Sequence, residues 1–200
     1  SEEFEVDDLM EFCNVIGGNV KRVEPKRIVV MGTNIFRGGS YSVMFDKDEA
    51  VAFASLAVVT NGNVLIKNVA REPMIPYVNF LTKVGVRFEF VEDGIKVWHD
   101  NTLLNTVQVS FTPSPGLLPH WKPLISLVLS RADGESTLHD TVYVDRSDFI
   151  SDLNRMGGKY ETTTPSDANL ETIISDDSYK IDESGDPQSV IRVNGPFKLK

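Results

Sequence analysis

Part of this 200-residue chain is written twice. Residues 61–69 (NGNVLIKNV) are similar to residues 133–141 (DGESTLHDT), which sets Gly134 72 residues after Gly62. Further on, residues 80–88 (FLTKVGVRF) match residues 152–160 (DLNRMGGKY), again with 72 residues from Gly85 to Gly157. A partial third copy opens the chain, where residues 12–20 (FCNVIGGNV) put Gly17 68 residues ahead of Gly85. A period near 70 is too long for the common solenoids and predicts one supersecondary unit used more than once.

Each unit has a readable order. Asp46 with Glu49 three residues later forms a capping box, and Ala50, Val51, Phe53, Ala54, Ala57 and Val58 supply an apolar helix face. Asn61-Gly62 ends that helix, and Val64-Leu65-Ile66 reads as a short strand. A second helix through Tyr77, Phe80 and Leu81 stops at Gly85, where a left-handed cap favours glycine. Residues 86–90 and 95–98 form a hairpin about Glu92-Asp93-Gly94. The expected fold class is therefore α/β, in repeated βαβαββ units. Residues 1–40 are expected as a partial unit of helix, hairpin and linker, 41–100 as a first full unit and 101–200 as a second. In the second unit, residues 106–110 are a strand, a helix begins near Pro119 and another spans 147–156. Its last hairpin is interrupted before resuming at Ser189.

Charge narrows the function classes. Lys and Arg number 20 against 29 Asp and Glu, a net charge of −9, and no basic patch offsets it. A field of that sign repels a phosphate backbone, so nucleic-acid binding is not expected. Seven acids and one base fall within 165–188, leaving −3 for the rest of the chain. That segment reads as a solvated acidic insertion. The single cysteine, Cys13, excludes an internal disulfide and fits a reducing compartment. It lies among Leu9, Phe12 and Ile16 on a helix, where a cysteine is ordinarily a small buried apolar residue. No apolar run approaches the ~18 residues of a membrane span. The expected setting is cytoplasmic, without a membrane. His99, His120 and His139 lack ligand spacing, so no metal site is expected.

Four stretches carry a resemblance to a known family. They are YSVMFDKDEA at 41–50, VGV at 84–86 with EDGIKV at 92–97, PGLLPH at 115–120, and TVYVDR at 141–146 followed by DLNRMGG at 152–158. In order and spacing they resemble the enolpyruvyltransferases, and within these the branch that uses UDP-N-acetylglucosamine. The resemblance covers about 7–160 and the last strand. It implies an inside-out α/β barrel of two domains, each of three βαβαββ units with the helices inside. It also implies a chain about half the family length.

The resemblance further implies transfer of the enolpyruvyl group of phosphoenolpyruvate to a hydroxyl of UDP-N-acetylglucosamine, with those two molecules as substrates and no cofactor. His120 stands where the family has an aspartate that contacts the attacking hydroxyl, and an imidazole can accept a proton near neutral pH. Arg146 matches an active-site arginine, suited to phosphate or carboxylate. Val142 matches a position that meets the nucleotide sugar through its backbone. Asp46, Lys47 and Glu49 match a substrate-binding segment at the interdomain cleft. Structural roles are open for several of these: helix caps for Asp46 and Glu49, a surface ion pair with Asp145 or Asp148 for Arg146, a helix start for His120. The family's reactive cysteine and its phosphoenolpyruvate-binding lysine match nothing in this sequence. The 200 residues alone are accordingly expected to be inactive. The alternative is a non-catalytic, diverged repeat domain that binds a nucleotide sugar or a protein partner.

Overall fold

A computed structural model describes residues 2–144, 146–175 and 185–200. The chain divides into two compact units, Ser1–Asp46 and Lys47–Lys200. In the first, α1 (Phe4–Val15) leads into the antiparallel pair β1 (Asn19–Glu24) and β2 (Arg27–Met31). One helix and two strands cannot enclose a core, and none of the described residues of this unit is buried. Cys13, expected inside, is only half-buried for the same reason. The stretch 41–46, which opens the expected first full unit and should hold its first strand, is not a strand. Asp8 takes up its polar groups instead, accepting from the Tyr41 hydroxyl at 2.8 Å and from the Met44 amide at 2.9 Å. The bond to Asp8 pushes the Tyr41 hydroxyl up to about 12.

The second unit begins with α2 (Lys47–Val59), β3 (Asn63–Lys67), α3 (Arg71–Val84), β4 (Arg87–Val91) and β5 (Gly94–Trp98). These strands form a sheet in the order β3-β5-β4, antiparallel throughout. Next come β6 (Gln108–Phe111), a single 3₁₀ turn Pro119–Trp121, α4 (Lys122–Leu129), β7 (Gly134–Asp140), α5 (Phe149–Arg155), β8 (Tyr160–Thr163) and β9 (Val190–Gly195). Their sheet runs β6-β7-β9-β8, with β6 parallel to β7 and the other pairs antiparallel.

The helix α2 lies on β3 and β5 and also packs on α4, which in turn lies on β7 and β9. The two helices are thus sandwiched between the two sheets. Ala50, Val51, Ala54, Ala57 and Val58 are buried on α2, and their small size lets the neighbouring helix approach closely. Phe53 falls at the rim of this arc, 47% exposed, rather than within it. Tyr77 of α3 meets Trp121 edge-to-face at 6.0 Å and shares a 2.7 Å hydrogen bond with Ser55 of α2. Trp121, Tyr77, Phe80 and Phe111 are the largest fully buried side chains.

Helix stops recur in one form. At α3 the Val86 amide donates to Leu81 O and the Gly85 amide to Thr82 O, with Gly85 at φ +85°, a Schellman closure. The pairs Gly18 to Cys13 with Gly17 to Asn14, and Gly158 to Leu153 with Gly157 to Asn154, close α1 and α5 in the same way. The side chain of Asn14 exchanges two hydrogen bonds with the Val20 backbone, and Asn154 does so with Tyr160.

The described ends of the acidic insertion are tied down. Asp186 accepts from the Ser166 amide and the Thr172 hydroxyl, and the Ser175 amide donates to Thr141 O. The middle of the insertion, 176–184, lies outside the described residues. No helix among the described residues is long and apolar enough to cross a membrane.

Candidate active site

The start of α4 is built by proline. Pro119 supplies a preset φ at the first position of the 3₁₀ turn, and Pro123 sits in the first turn of α4, where a missing amide proton is harmless. This turn sends Trp121 into the core and leaves the His120 side chain half-exposed. Both then meet one oxygen of Asp48, the second residue of α2. Trp121 Nε1 donates to Asp48 Oδ1 at 2.7 Å, and His120 Nε2 lies 2.9 Å from the same atom. The bond from His120, with that from Trp121, holds the Asp48 carboxyl below its usual range despite partial desolvation.

A second carboxylate organises the loop after β7. Asp140 is fully buried, and its Oδ2 accepts from Lys122 Nζ at 2.6 Å. Its Oδ1 accepts the backbone amides of Val142 and Tyr143, each at 3.0 Å. The loop is therefore clamped to the first turn of α4 by a buried ion pair. Arg146 lays its guanidinium 3.6 Å from the Tyr143 ring centroid, a cation–π contact. Among the described residues it has no ion-pair partner, and Asp148 does not bind it.

Pro119, His120, Lys122, Pro123, Arg146 and Phe149 line a cavity of about 140 Å³. Apolar walls with two cations and an imidazole suit a small anionic or hydroxylated group. Of the residues singled out from sequence, His120 and Arg146 come together here. Val142 lies on the adjoining loop with its amide engaged by Asp140. Asp46 and Glu49 are exposed, Lys47 is buried at the start of α2, and none of the three lines this cavity.

Sequence reasoning missed Asp48, Lys122 and Asp140. One signal was available, since Asp48 and His120 are themselves 72 residues apart. No comparable mark distinguishes Lys122, whose partner is set by tertiary contact. His99 and His139 are buried, and desolvation is the main force lowering both. No cluster of three or more His, Cys, Asp or Glu fit for a metal occurs among the described residues.

A family profile described as EPSP synthase (3-phosphoshikimate 1-carboxyvinyltransferase) matches residues 1–179. The UDP-N-acetylglucosamine 1-carboxyvinyltransferase of Chlamydia muridarum is 29% identical over 198 residues, 99% of this chain and 43% of the relative. The protein of the same name from Chlamydia abortus is 31% identical over 159 residues, 80% of this chain and 36% of the relative. The chain thus spans less than half the length of these relatives. Among solved structures, the enolpyruvyl transferase NikO from Streptomyces tendae aligns with a TM-score of 0.70 at 19% identity, over 96% of this chain and 40% of that one. EPSP synthase from Acinetobacter baumannii aligns at 0.51 and 12% identity, over 96% and 39%. These likenesses establish the shared α/β fold.

Proposed function

We propose, because this chain belongs to the EPSP synthase family of carboxyvinyltransferases, that its cavity is one wall of an enolpyruvyl-transfer site. The substrates in this reading are phosphoenolpyruvate and UDP-N-acetylglucosamine, the latter taken from the names of the chlamydial relatives. The setting is cytoplasmic, as the lone cysteine suggests, and the pathway is peptidoglycan precursor synthesis. The observation that carries the reading is the convergence of His120, Lys122 and Arg146 on one cavity. Arg146 offers a planar donor set to a phosphate or carboxylate oxygen. In this reading His120, which lines the cavity, takes the proton of the attacking sugar hydroxyl. Val142 and Tyr143, held by Asp140, set the loop against which the sugar lies.

Asp46, Lys47 and Glu49, at the start of α2, are assigned to substrate contacts made outside this cavity. Residues 41–100 and 101–200 are taken as two copies of one unit and 1–40 as the end of another. The recurring glycine closures at Gly17, Gly85 and Gly157 support that division.

One wall does not make a transfer site. Converging acid, base and phosphate-binding groups contribute roughly 7–11 kcal/mol of barrier reduction through positioning, and this chain supplies only part of the set. The 200 residues alone should bind UDP-N-acetylglucosamine weakly and release no phosphate from phosphoenolpyruvate. Calorimetric titration and a coupled phosphate-release assay test this together. The expected result is binding that Arg146→Ala weakens about tenfold, the ~1.4 kcal/mol of one charged hydrogen bond, without turnover. Absence of binding, or affinity indifferent to Arg146, would count against the reading.

A further inference from the structure

Resting on that reading of the cavity, we propose that Asp48 is the positioning residue of His120, holding Nε2–H and leaving Nδ1 to receive the proton of the substrate hydroxyl. Asp48 Oδ1 lies 2.9 Å from His120 Nε2. An ionised carboxylate only accepts, so the imidazole nitrogen facing it must carry the proton. A neutral imidazole has a single N–H, and Nδ1 is then the basic nitrogen. Among the described residues Nδ1 has no hydrogen-bond partner.

The carboxylate is itself well anchored. The same Oδ1 accepts from Trp121 Nε1 at 2.7 Å, Trp121 is buried against Tyr77, and Tyr77 is bonded to Ser55. Its place in the first turn of α2 favours the anion, because the helix N-terminus carries positive partial charge. The other charged groups near His120 are Lys47 beside Asp48, Lys122, which is bound to Asp140, and Arg146 across the cavity. In the step proposed, the hydroxyl O–H bond breaks as the Nδ1–H bond forms. The oxygen keeps the electron pair as the nucleophile, and the imidazolium stays paired with Asp48.

The test is ¹⁵N spectroscopy of the 200-residue chain at about pH 8, above the ordinary histidine range. His120 should show one tautomer, with a protonated Nε2 and a bare Nδ1 well separated in shift. In Asp48→Ala the two nitrogens should converge toward the average of a tautomer mixture, with the Trp121 indole signal reporting whether the fold persists. Added UDP-N-acetylglucosamine should move the wild-type Nδ1 resonance. A protonated Nδ1, or a mixed tautomer, in the wild-type chain would overturn the proposal without recourse to any variant. The expected tautomer with an Nδ1 that ignores the nucleotide sugar would overturn the cavity's role and leave the Asp48 geometry standing.

Discussion

Asp140 performs two tasks from a position with no solvent exposure: it neutralises Lys122 and fixes two amides of the following loop. Removing one member of such a pair strands a charge. Lys122→Met should therefore destabilise the chain by about 3–5 kcal/mol in urea unfolding, and a change under 1 kcal/mol would mean the pair is not buried as described. Asp186 shows the opposite case, a half-buried carboxylate organised by local bonds. Desolvation raises its pKa, but hydrogen bonds from Ser166 and Thr172 outweigh that and bring it from 3.8 to about 2. A lowered folded pKa stabilises above the unfolded value and ceases to do so as pH falls through the folded one. Protection of the Ser166 amide from exchange should hold above 3.8 and disappear toward 2, and Asp186→Asn should remove that dependence. At this scale legibility followed sequence distance. His120 and Arg146 stood out through motifs, whereas Asp48, Lys122 and Asp140 acquire meaning only from partners 72, 18 and 18 residues away.

Among the elements, the glycine stops were the most readable feature, because a helix end in left-handed backbone is a local demand. The ends of α3 and β4, and the turn into β5, fall where Gly85 and the Glu92-Asp93-Gly94 stretch put them. The two glycines should differ in tolerance. A Cβ on Gly85 meets only the Asn105 side chain at 3.4 Å, so Gly85→Ala should lose about 1–2 kcal/mol, the strain of its positive φ. A Cβ on Gly94 would overlap the Ile66 carbonyl oxygen of the paired strand, which cannot yield without breaking the β3–β5 ladder. Gly94→Ala should lower the melting temperature well beyond Gly85→Ala, and equal shifts would contradict the described register. What local pattern did not supply was the fate of 41–46. The βαβαββ order expects a strand ahead of α2, but Asp8 of α1 claims the Met44 amide, a contact 36 residues away that no window of sequence contains.

For the molecule as a whole, the layering of α2 and α4 between two sheets agrees with the helices-inside arrangement that the family resemblance implied. The first unit remains without a buried residue among those described, and the chain spans 43% of a relative such as the Chlamydia muridarum enzyme. Composition could not reveal this, because the apolar content of a chain does not say whether its units enclose a core. In the proposed function a nucleotide sugar meets this chain at the His120–Arg146 cavity. The most direct measurement is a map of backbone amide shifts on titration with UDP-N-acetylglucosamine. Changes should concentrate at His120, Trp121, Lys122, Val142, Tyr143, Arg146 and Phe149, and in Arg146→Ala should need about tenfold more ligand. Shifts centred instead on the open cleft of Ser151, Asn154 and Thr162, or no shifts at millimolar ligand, would contradict the account.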